Sequence, residues 1–252
     1  MVAAVWGWPP PAAWQMMAPA SPSSPAPVPT LDRAAQELAR RGSPDVFGLV
    51  ADIRDAGQVD GAFAELAQRW DGKLNVLINA VGPSVLGDFE ALTDEQWRQA
   101  VDEGVMGMVH CVRSALPLLR KAEWGRIVNF SAHSTQRQSV VLPAYTAAKA
   151  MVTSISKNLS LLLAKDGILV NVVSPGTIAS ESLVGWAKSL GVDGDNPYRL
   201  MDAIAEHFGH PAHLPRAGLP DEIGPVVGFL ASRRNSYMTG ANVNVDGGSD
   251  FI

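Results

Sequence analysis

The sequence predicts a single α/β domain in which helices cover both faces of a doubly wound parallel sheet. Short apolar strands alternate with amphipathic helices of about 10–20 residues, which is the pattern that βαβ units produce. The strands are apolar at consecutive positions, as in LNVLINAVG (74–82), so both faces of the sheet have to be covered. Parallel sheets of this kind bind ligands at the carboxyl ends of their strands.

The predicted elements follow one another from residue 31 onward. LDRAAQELARRG (31–42) is predicted to be an amphipathic helix that stops at Gly42, and DVFGLVADI (45–53) a strand. The other predicted helices are VDGAFAELAQRW (59–70), a long region from about Asp94 to Leu119, a segment from about Pro143 to Ala164, and DEIGPVVGFLAS (221–232). The other predicted strands are 74–82, GRIVNFSA (125–132), ILVNVVSPG (168–176) and ANVNVDGG (241–248).

Composition narrows the classes of function. The chain has 252 residues and a net charge of −5, and its lysines and arginines form no run, so we expect no nucleic-acid partner. No apolar run reaches the roughly 18 residues of a membrane span, so we expect no membrane partner. The single cysteine, Cys111, allows no disulfide within the chain and is expected to be a core residue. These features predict a cytoplasmic location.

The most informative short motif is YTAAK (145–149). Tyr145 and Lys149 are four residues apart, so on a helix their side chains project from one face. A phenol titrates near pH 10, and a neighbouring ammonium favours the phenolate, which would make Tyr145 a usable acid/base. A tyrosine and a lysine at this spacing also occur by chance on solvated helices. The surrounding motifs are therefore needed to judge whether the pair is catalytic.

Polar and glycine-containing segments end the strands on either side of this motif. Ser131 ends one predicted strand and could bind a substrate oxygen. The next strand ends at Pro175-Gly176-Thr177, where a polar residue after a glycine turn can meet a ligand. INAVG (78–82) ends an earlier strand, and its Asn79, Ala80 and Gly82 permit close approach of the backbone.

Taken together, these motifs resemble the short-chain dehydrogenase/reductase family, over about residues 31–250. The resemblance includes DIRD (52–55), INAVG for the family's N-N-A-G, YTAAK for Y-x-x-x-K, SPGTI (174–178) and MTGANVNVDGG (238–248). It implies a Rossmann-type fold and reversible hydride transfer between NAD or NADP and a small carbonyl/alcohol substrate. It also implies a homo-oligomer, either a tetramer or a dimer.

The resemblance carries roles onto individual positions. It implies that Tyr145 is the acid/base and that Lys149 lowers the pKa of Tyr145 and binds the nicotinamide ribose. Asp52 and Ile53 would contact adenine, and Asn79, Ala80 and Gly82 would line the cofactor channel. In the segment Pro175-Gly176-Thr177-Ile178, the threonine and the backbone at Ile178 would hold the carboxamide. No metal ion is implied.

Two positions depart from the family pattern near the reacting centre. The family's catalytic serine usually precedes the tyrosine by thirteen residues, which here falls on Ala132. Ser131 and Ser134 are the neighbouring candidates, and Ser131 is favoured because it closes the strand. The asparagine that anchors a proton-relay water in the family is replaced by Gly104, so any relay would need backbone or another route.

The largest departure is the head of the chain, residues 1–30. VWGWPPPAAWQMMAPASPSSPAPVPT (5–30) contains three Trp, eight Pro and no charge, where the family has a strand, a glycine-rich pyrophosphate turn and a helix. We expect the first β-α-β unit to be absent or altered. A shifted reading frame through the codons of the head permits a glycine-rich sequence without a forced stop, so a frame shift in the gene is one explanation, which resequencing would test. A disordered Pro/Ala-rich tail is the other.

The segment 179–217 is predicted to be a substrate lid on the domain 31–252. Its apolar residues suggest an apolar or bulky substrate, although ordinary helix packing explains them equally well: Trp186, Leu190, Tyr198, Met201 and Phe208. HFGHPAH (207–213) spaces three histidines at intervals of three, but Pro211 breaks the helix and no other ligand completes a zinc set. The alternative to an enzyme is an inactive relative that serves as a binding or oligomerisation subunit, which the missing glycine turn and Gly104 would favour.

Overall fold

The computed structural model describes residues 3–7, 13–18, 20–21, 24–25, 28–40, 42 and 45–249 of the chain. Its strands are β1 (Ala3–Gly7), β2 (Ala13–Ala18), β3 (Ala20–Ser21), β4 (Ser24–Pro25), β5 (Val46–Val50), β6 (Val76–Asn79), β7 (Gly125–Phe130), β8 (Ile168–Pro175) and β9 (Asn242–Val245). Its α-helices are α1 (Val28–Arg40), α2 (Ala56–Arg69), α3 (Asp94–Val101), α4 (Gly107–Leu119), α5 (Pro143–Leu163), α6 (Glu181–Ser189), α7 (Pro197–Phe208) and α8 (Pro220–Ala231). No helix in these ranges is long and apolar enough to cross a membrane.

Seven strands form one sheet in the order β5-β2-β1-β6-β7-β8-β9, and β3 pairs only with β4. Strands β6 to β9 are parallel to one another, and β2 is parallel to β5. Strand β1 is antiparallel to both of its neighbours, β2 and β6. Six strands therefore run in one direction, and β1 runs against them.

The head contributes two of these strands, so the first β-α-β unit is altered and not absent. Strands β1 and β2 fill the places beside β6 and β5, so the backbone groups of those strands have ladder partners. The direction of β1 nevertheless differs from a βαβ unit. Ala3, at the start of β1, pairs with Asn79 at the carboxyl end of β6, so β1 ends at the opposite edge of the sheet. The first β-α-β unit is altered.

Helices cover both faces of the sheet, as the apolar strands predict. On one face, a large core joins α2, α4 and α5 to inward-facing strand residues such as Leu77 and Ile127. On the other face, α8 packs on Val76, Ile78 and Val128. Alternate residues of one strand serve opposite faces, since Leu77 lies between Val76 and Ile78. The fold is therefore doubly wound.

The long helical region predicted from about Asp94 to Leu119 contains a π-helical turn at Asp102–Met106, between α3 and α4. Gly104 lies in this turn and is buried. A Cβ atom at Gly104 would lie 2.8 Å from Cδ of Pro83 and 3.2 Å from Cβ of Ala148 on α5. The close packing of the turn against α5 leaves no room there for a side chain.

We predict that Gly104→Asn, which restores the residue typical of the family at this position, destabilises the fold. The added side chain has to displace Pro83 or α5, which costs about 1–3 kcal/mol of unfolding free energy. Urea denaturation followed by circular dichroism measures this. The matched control is Gly61→Ala on α2, where no atom lies within 4 Å of the added Cβ, and stability should be unchanged or slightly higher. A Gly104→Asn protein as stable as the parent would contradict the packing argument.

Candidate active site

A cavity of about 930 Å³ opens at the carboxyl ends of the parallel strands. Its floor comes from the residues that follow β6, β7 and β8, its side from α5, and its cover from the segment that contains α6 and α7 together with α8. The lining residues from the floor and α5 that the sequence singled out are Ala80, Gly82, Ser131, Ser134, Tyr145, Lys149, Pro175, Gly176, Thr177 and Ile178. Parallel strands bring these separate motifs to one edge of the sheet.

Lys149 is held in the floor of this cavity. Its Nζ donates hydrogen bonds to the carbonyl oxygens of Phe130 at 2.9 Å and Val81 at 3.2 Å, which lie at the ends of two neighbouring strands. The side chain is buried, and burial lowers the pKa of Lys149 to about 8. Gly82 makes this approach possible, because a Cβ there would lie 2.8 Å from Nζ. Lys149 therefore places a positive charge at the sheet edge at neutral pH.

Tyr145 lies one turn before Lys149 on α5, and both residues line the cavity. The Nζ atom of Lys149 lies 5.9 Å from the centroid of the Tyr145 ring. Burial raises the pKa of Tyr145 to about 12. This corrects the expectation that the lysine lowers that pKa, because desolvation of the phenol dominates while the ammonium is directed at two carbonyls. Tyr145 is a protonated phenol at neutral pH.

Ser131 faces α5 with its hydroxyl. Its Oγ donates to the backbone carbonyl of Lys149 at 3.0 Å and accepts from Oγ1 of Thr153 at 2.9 Å. The residue is buried, and its backbone N–H donates to the carbonyl of Val173 in β8. The Ser131 side chain thus ties β7 to the turn of α5 that bears Lys149.

The neighbouring positions place different groups at the cavity. Ala132, at the family's usual serine position, lines the cavity but has no hydroxyl. Ser134 also lines the cavity, and its Oγ accepts a hydrogen bond from Oγ1 of Thr146 at 3.1 Å. With that acceptor position used, the hydroxyl proton of Ser134 is available to a ligand.

The segment after β8 passes close to the last strand. A Cβ at Gly176 would lie 2.6 Å from Cα of Asp246, so only glycine fits between the two backbones. The backbone N–H of Gly176 donates to the carbonyl of Val245, which fixes the turn before Thr177 and Ile178. These contacts hold Thr177 at the cavity wall.

Three residues that the sequence assigned to the cofactor lie outside this cavity. Asp52 forms a two-oxygen contact with the side chain of Arg54, with an Nη2–Oδ2 distance of 2.6 Å, and the contact lowers the pKa of Asp52. Ile53 is buried in the core, in close contact with Gly107. The side-chain amide of Asn79 donates to Oδ1 of Asn129 at 2.8 Å, which joins β6 to β7.

The predicted lid lines the cavity with only some of the expected residues. Trp186 and Phe208 do so, and Leu183 and Ile204 join them. The other three predicted lining residues, Leu190, Tyr198 and Met201, are not among the residues that line it: Leu190 and Tyr198 are exposed, and Met201 is buried. Which of these residues face the cavity depends on the rotation of α6 and α7 about their axes, which the sequence alone did not indicate.

Known proteins match the chain over most of its length. The family model described as enoyl-(acyl carrier protein) reductase matches residues 28–250. Oxidoreductase UcpA from Salmonella typhimurium is 31% identical over 222 residues, which cover 87% of this chain and 81% of UcpA. The chain is a member of the short-chain dehydrogenase/reductase family. It is therefore an oxidoreductase by family.

Two solved structures resemble this short-chain dehydrogenase/reductase closely. One is L-sorbose reductase from Gluconobacter frateurii in complex with NADPH and L-sorbose, with a TM-score of 0.83 and 25% identity over 94% of this chain and 87% of that one. The other is an NADPH-bound short-chain oxidoreductase from Pseudomonas aeruginosa described as containing an atypical catalytic center. Its TM-score is 0.76, with 28% identity over 88% of this chain and 83% of that one.

Two cavity residues were missed by sequence reasoning as members of this site. His133 and His210 both line the cavity, and their rings meet edge to face with centroids 4.6 Å apart. HFGHPAH drew attention to His210 only as a metal candidate. The part of the chain that the structure describes holds no cluster of three or more metal-binding side chains. The position of His133 in the sequence, between Ala132 and Ser134 after β7, could have indicated that it lies at the cavity.

We predict that Lys149 titrates near pH 8 in the free protein. Its pKa is lowered from the model-compound value of 10.5, so the ammonium is present below about 8 and is lost above it. Proton–nitrogen NMR of protein labelled with ¹⁵N-lysine measures the midpoint, and Lys149→Met identifies the signal by its disappearance. A midpoint close to 10.5 would show that Nζ is not buried against the two carbonyls.

Proposed function

We propose that this chain transfers hydride reversibly between NAD or NADP and the carbonyl/alcohol group of a small-molecule substrate. The observation that carries the proposal is the placement of Tyr145 and Lys149, side by side on α5, in a cavity at the carboxyl ends of β6, β7 and β8. The conversion of a carbonyl to an alcohol needs a proton donor, which the phenol of Tyr145 provides. The fixed cation of Lys149 stabilises the negative charge that this transfer creates.

In this proposal, the inner part of the cavity would hold the nicotinamide end of the cofactor. The nicotinamide supplies or accepts the hydride when it is bound. Gly82 and Gly176 allow the close packing of the cavity floor. A Cβ at Gly82 would collide with Lys149, and a Cβ at Gly176 would collide with Asp246, which follows β9. Thr177 and Ile178 line the wall that would hold the carboxamide, and Lys149 would bind the ribose. Both similar structures described above hold NADPH, which supports NAD(P) as the cofactor class.

Tyr145 acts as the proton donor in the direction of reduction. Its raised pKa of about 12 keeps the phenol protonated at neutral pH, so its proton is available to the carbonyl oxygen. The cation of Lys149 stabilises negative charge that develops on the phenol oxygen as the proton leaves. Oxidation of the alcohol is the reverse transfer to the same atom.

We assign the second hydrogen bond to the substrate oxygen to Ser134. Ser131, which the sequence favoured, gives its hydroxyl proton to the carbonyl of Lys149. Ser134 accepts from Thr146 and keeps its own proton for a ligand. Ser131 would then position α5 rather than touch substrate, although both side chains line the cavity.

The substrate is a neutral compound with an apolar body. The cover of the cavity presents Leu183, Trp186 and Phe208, and the floor and wall add further apolar groups. Among the described residues that line the cavity, Lys149 is the only lysine, arginine, aspartate or glutamate. A carboxylate or guanidinium that would recognise a charged substrate is therefore not among them.

The enzyme works as a cytoplasmic homo-oligomer in this proposal, either a dimer or a tetramer. Exposed apolar side chains on the outer face of α5 support self-association, because Met151, Leu161 and Leu162 are 42%, 74% and 53% exposed. The single buried thiol, Cys111, suits a reducing compartment.

We predict that Tyr145→Phe loses at least about 100-fold in carbonyl reduction, since the substitution removes only the proton donor. The rate is followed by the disappearance of NADPH or NADH over a panel of apolar ketones. Tyr237→Phe is the matched control, because Tyr237 is 98% exposed and is not among the residues that line the cavity. Equal activity of the parent and Tyr145→Phe, or no activity in the parent, would favour the inactive binding-subunit alternative.

We also predict weak binding of the cofactor, with dissociation constants above the micromolar range. Strand β1 runs against β6, so the described part of the head places no glycine turn followed by a helix beside the carboxyl end of β6. The pyrophosphate would then lack the N–H groups that hold it in a βαβ unit. Fluorescence titration with NADH and NADPH measures this, and micromolar affinity for either would contradict the prediction.

A further inference from the structure

His210 is a buried imidazole that the proposed reaction does not use. It follows Gly209, the left-handed residue that caps α7, and it is only 2% exposed. Its side chain lines the cavity and packs edge to face on His133, whose Nδ1 lies 3.2 Å from the carbonyl oxygen of Pro175. His210 therefore stands beside the turn that leads to Thr177.

The two ring nitrogens of His210 have different surroundings. Burial lowers the pKa of His210 and outweighs the opposing effect of the nearby backbone at Gln138 and Arg137. None of the described residues hydrogen-bonds to Nε2 of the ring. A neutral imidazole carries one proton, and the nitrogen without it is an acceptor. With the proton on Nδ1, the neutral ring holds an unused lone pair at Nε2.

An unused acceptor in this place requires a donor. A buried polar atom without a hydrogen bond is destabilising, and such atoms in native folds generally have a specific partner. The polar side chains that line the inner cavity otherwise offer protons, from the hydroxyls of Tyr145 and Ser134 and the ammonium of Lys149. A ligand that carries both a carbonyl and a hydroxyl group would satisfy both kinds of group.

Resting on the proposed function, we propose that Nε2 of His210 accepts a hydrogen bond from a hydroxyl group of the substrate. His210 is then a specificity-determining residue, and the substrate class is hydroxy ketones with an apolar remainder, together with the diols that correspond to them. The apolar cover of the cavity receives the remainder of the molecule.

The test compares ketones that differ only by hydroxyl against methyl. One pair is α-hydroxyacetophenone and propiophenone, and a second pair, β-hydroxypropiophenone and butyrophenone, moves the hydroxyl one carbon further away. The parent should prefer the hydroxylated member of at least one pair in kcat/KM. His210→Leu should reduce that preference about tenfold, by lowering kcat/KM for the hydroxy ketone while changing the methyl isostere less than about twofold. His210→Gln, which keeps an acceptor, should restore part of the preference.

Controls separate this inference from the proposed function and from misfolding. His213→Leu alters an exposed histidine outside the cavity lining and should leave the preference unchanged. Thermal unfolding of His210→Leu should match the parent, since the substitution removes a polar atom that lacks a partner. Equal losses on both members of each pair, or no preference in an active parent, would overturn the role of His210. Failure of the parent to reduce any ketone would instead overturn the proposed function.

Discussion

The ammonium of Lys149, bonded to the carbonyl oxygens of Val81 and Phe130, is the interaction on which the site depends. It joins α5 to the ends of two parallel strands and fixes a cation where those strands open into the cavity. Each part of the site follows from this contact. Gly82 has no side chain because Nζ occupies the space, and Ser131 holds the Lys149 turn of α5 through its backbone carbonyl.

Close packing around α5 explains a departure that looks like a loss of function in the sequence. Gly104 replaces a polar residue of the family, and on sequence grounds its absence favours an inactive relative. In the structure, the π-helical turn brings Gly104 against Pro83 and Ala148, so the turn packs directly on α5 and leaves no room for a side chain. The Lys149 ammonium donates to two backbone carbonyls, which gives it a polar environment without a side chain at position 104.

The sequence predicted the architecture well because strand apolarity and helix periodicity depend on which faces are buried. The strands after residue 45, their parallel order and the meeting of YTAAK with SPGTI all follow from these patterns. The direction of β1 was not predictable, since the head has neither pattern, and pairing with β6 decides it. The side-chain directions of Ser131 and His210 also lay beyond the sequence, because each depends on contacts more than ten residues away along the chain. The direction of the pKa shift of Tyr145 was also mispredicted. The motif YTAAK shows the neighbouring charge but not the burial of the phenol, and burial dominates the pKa.

Strand β1 completes the hydrogen bonding of the sheet but does not provide a phosphate-binding turn. The backbone of β6 has a partner on each side, so the carboxyl edge that carries the cavity is continuous. The same partner strand, β1, is reversed and so cannot lead into a phosphate-binding turn at that edge. The largest departure from the family pattern therefore concerns the phosphate-binding turn, whereas the smaller departures at Ala132 and Gly104 lie near the reacting centre.

The most direct measurement of the central claim is the transfer of deuterium. NADH and NADPH, each carrying deuterium in place of both hydrogens at C4 of the nicotinamide ring, would be supplied in turn to the protein with a ketone substrate, at concentrations high enough to offset weak binding. If the cavity at Tyr145 performs hydride transfer, mass spectrometry will find one deuterium on the carbinol carbon of the alcohol. Alcohol that carries no deuterium, or the absence of any alcohol from the folded protein, would contradict the account.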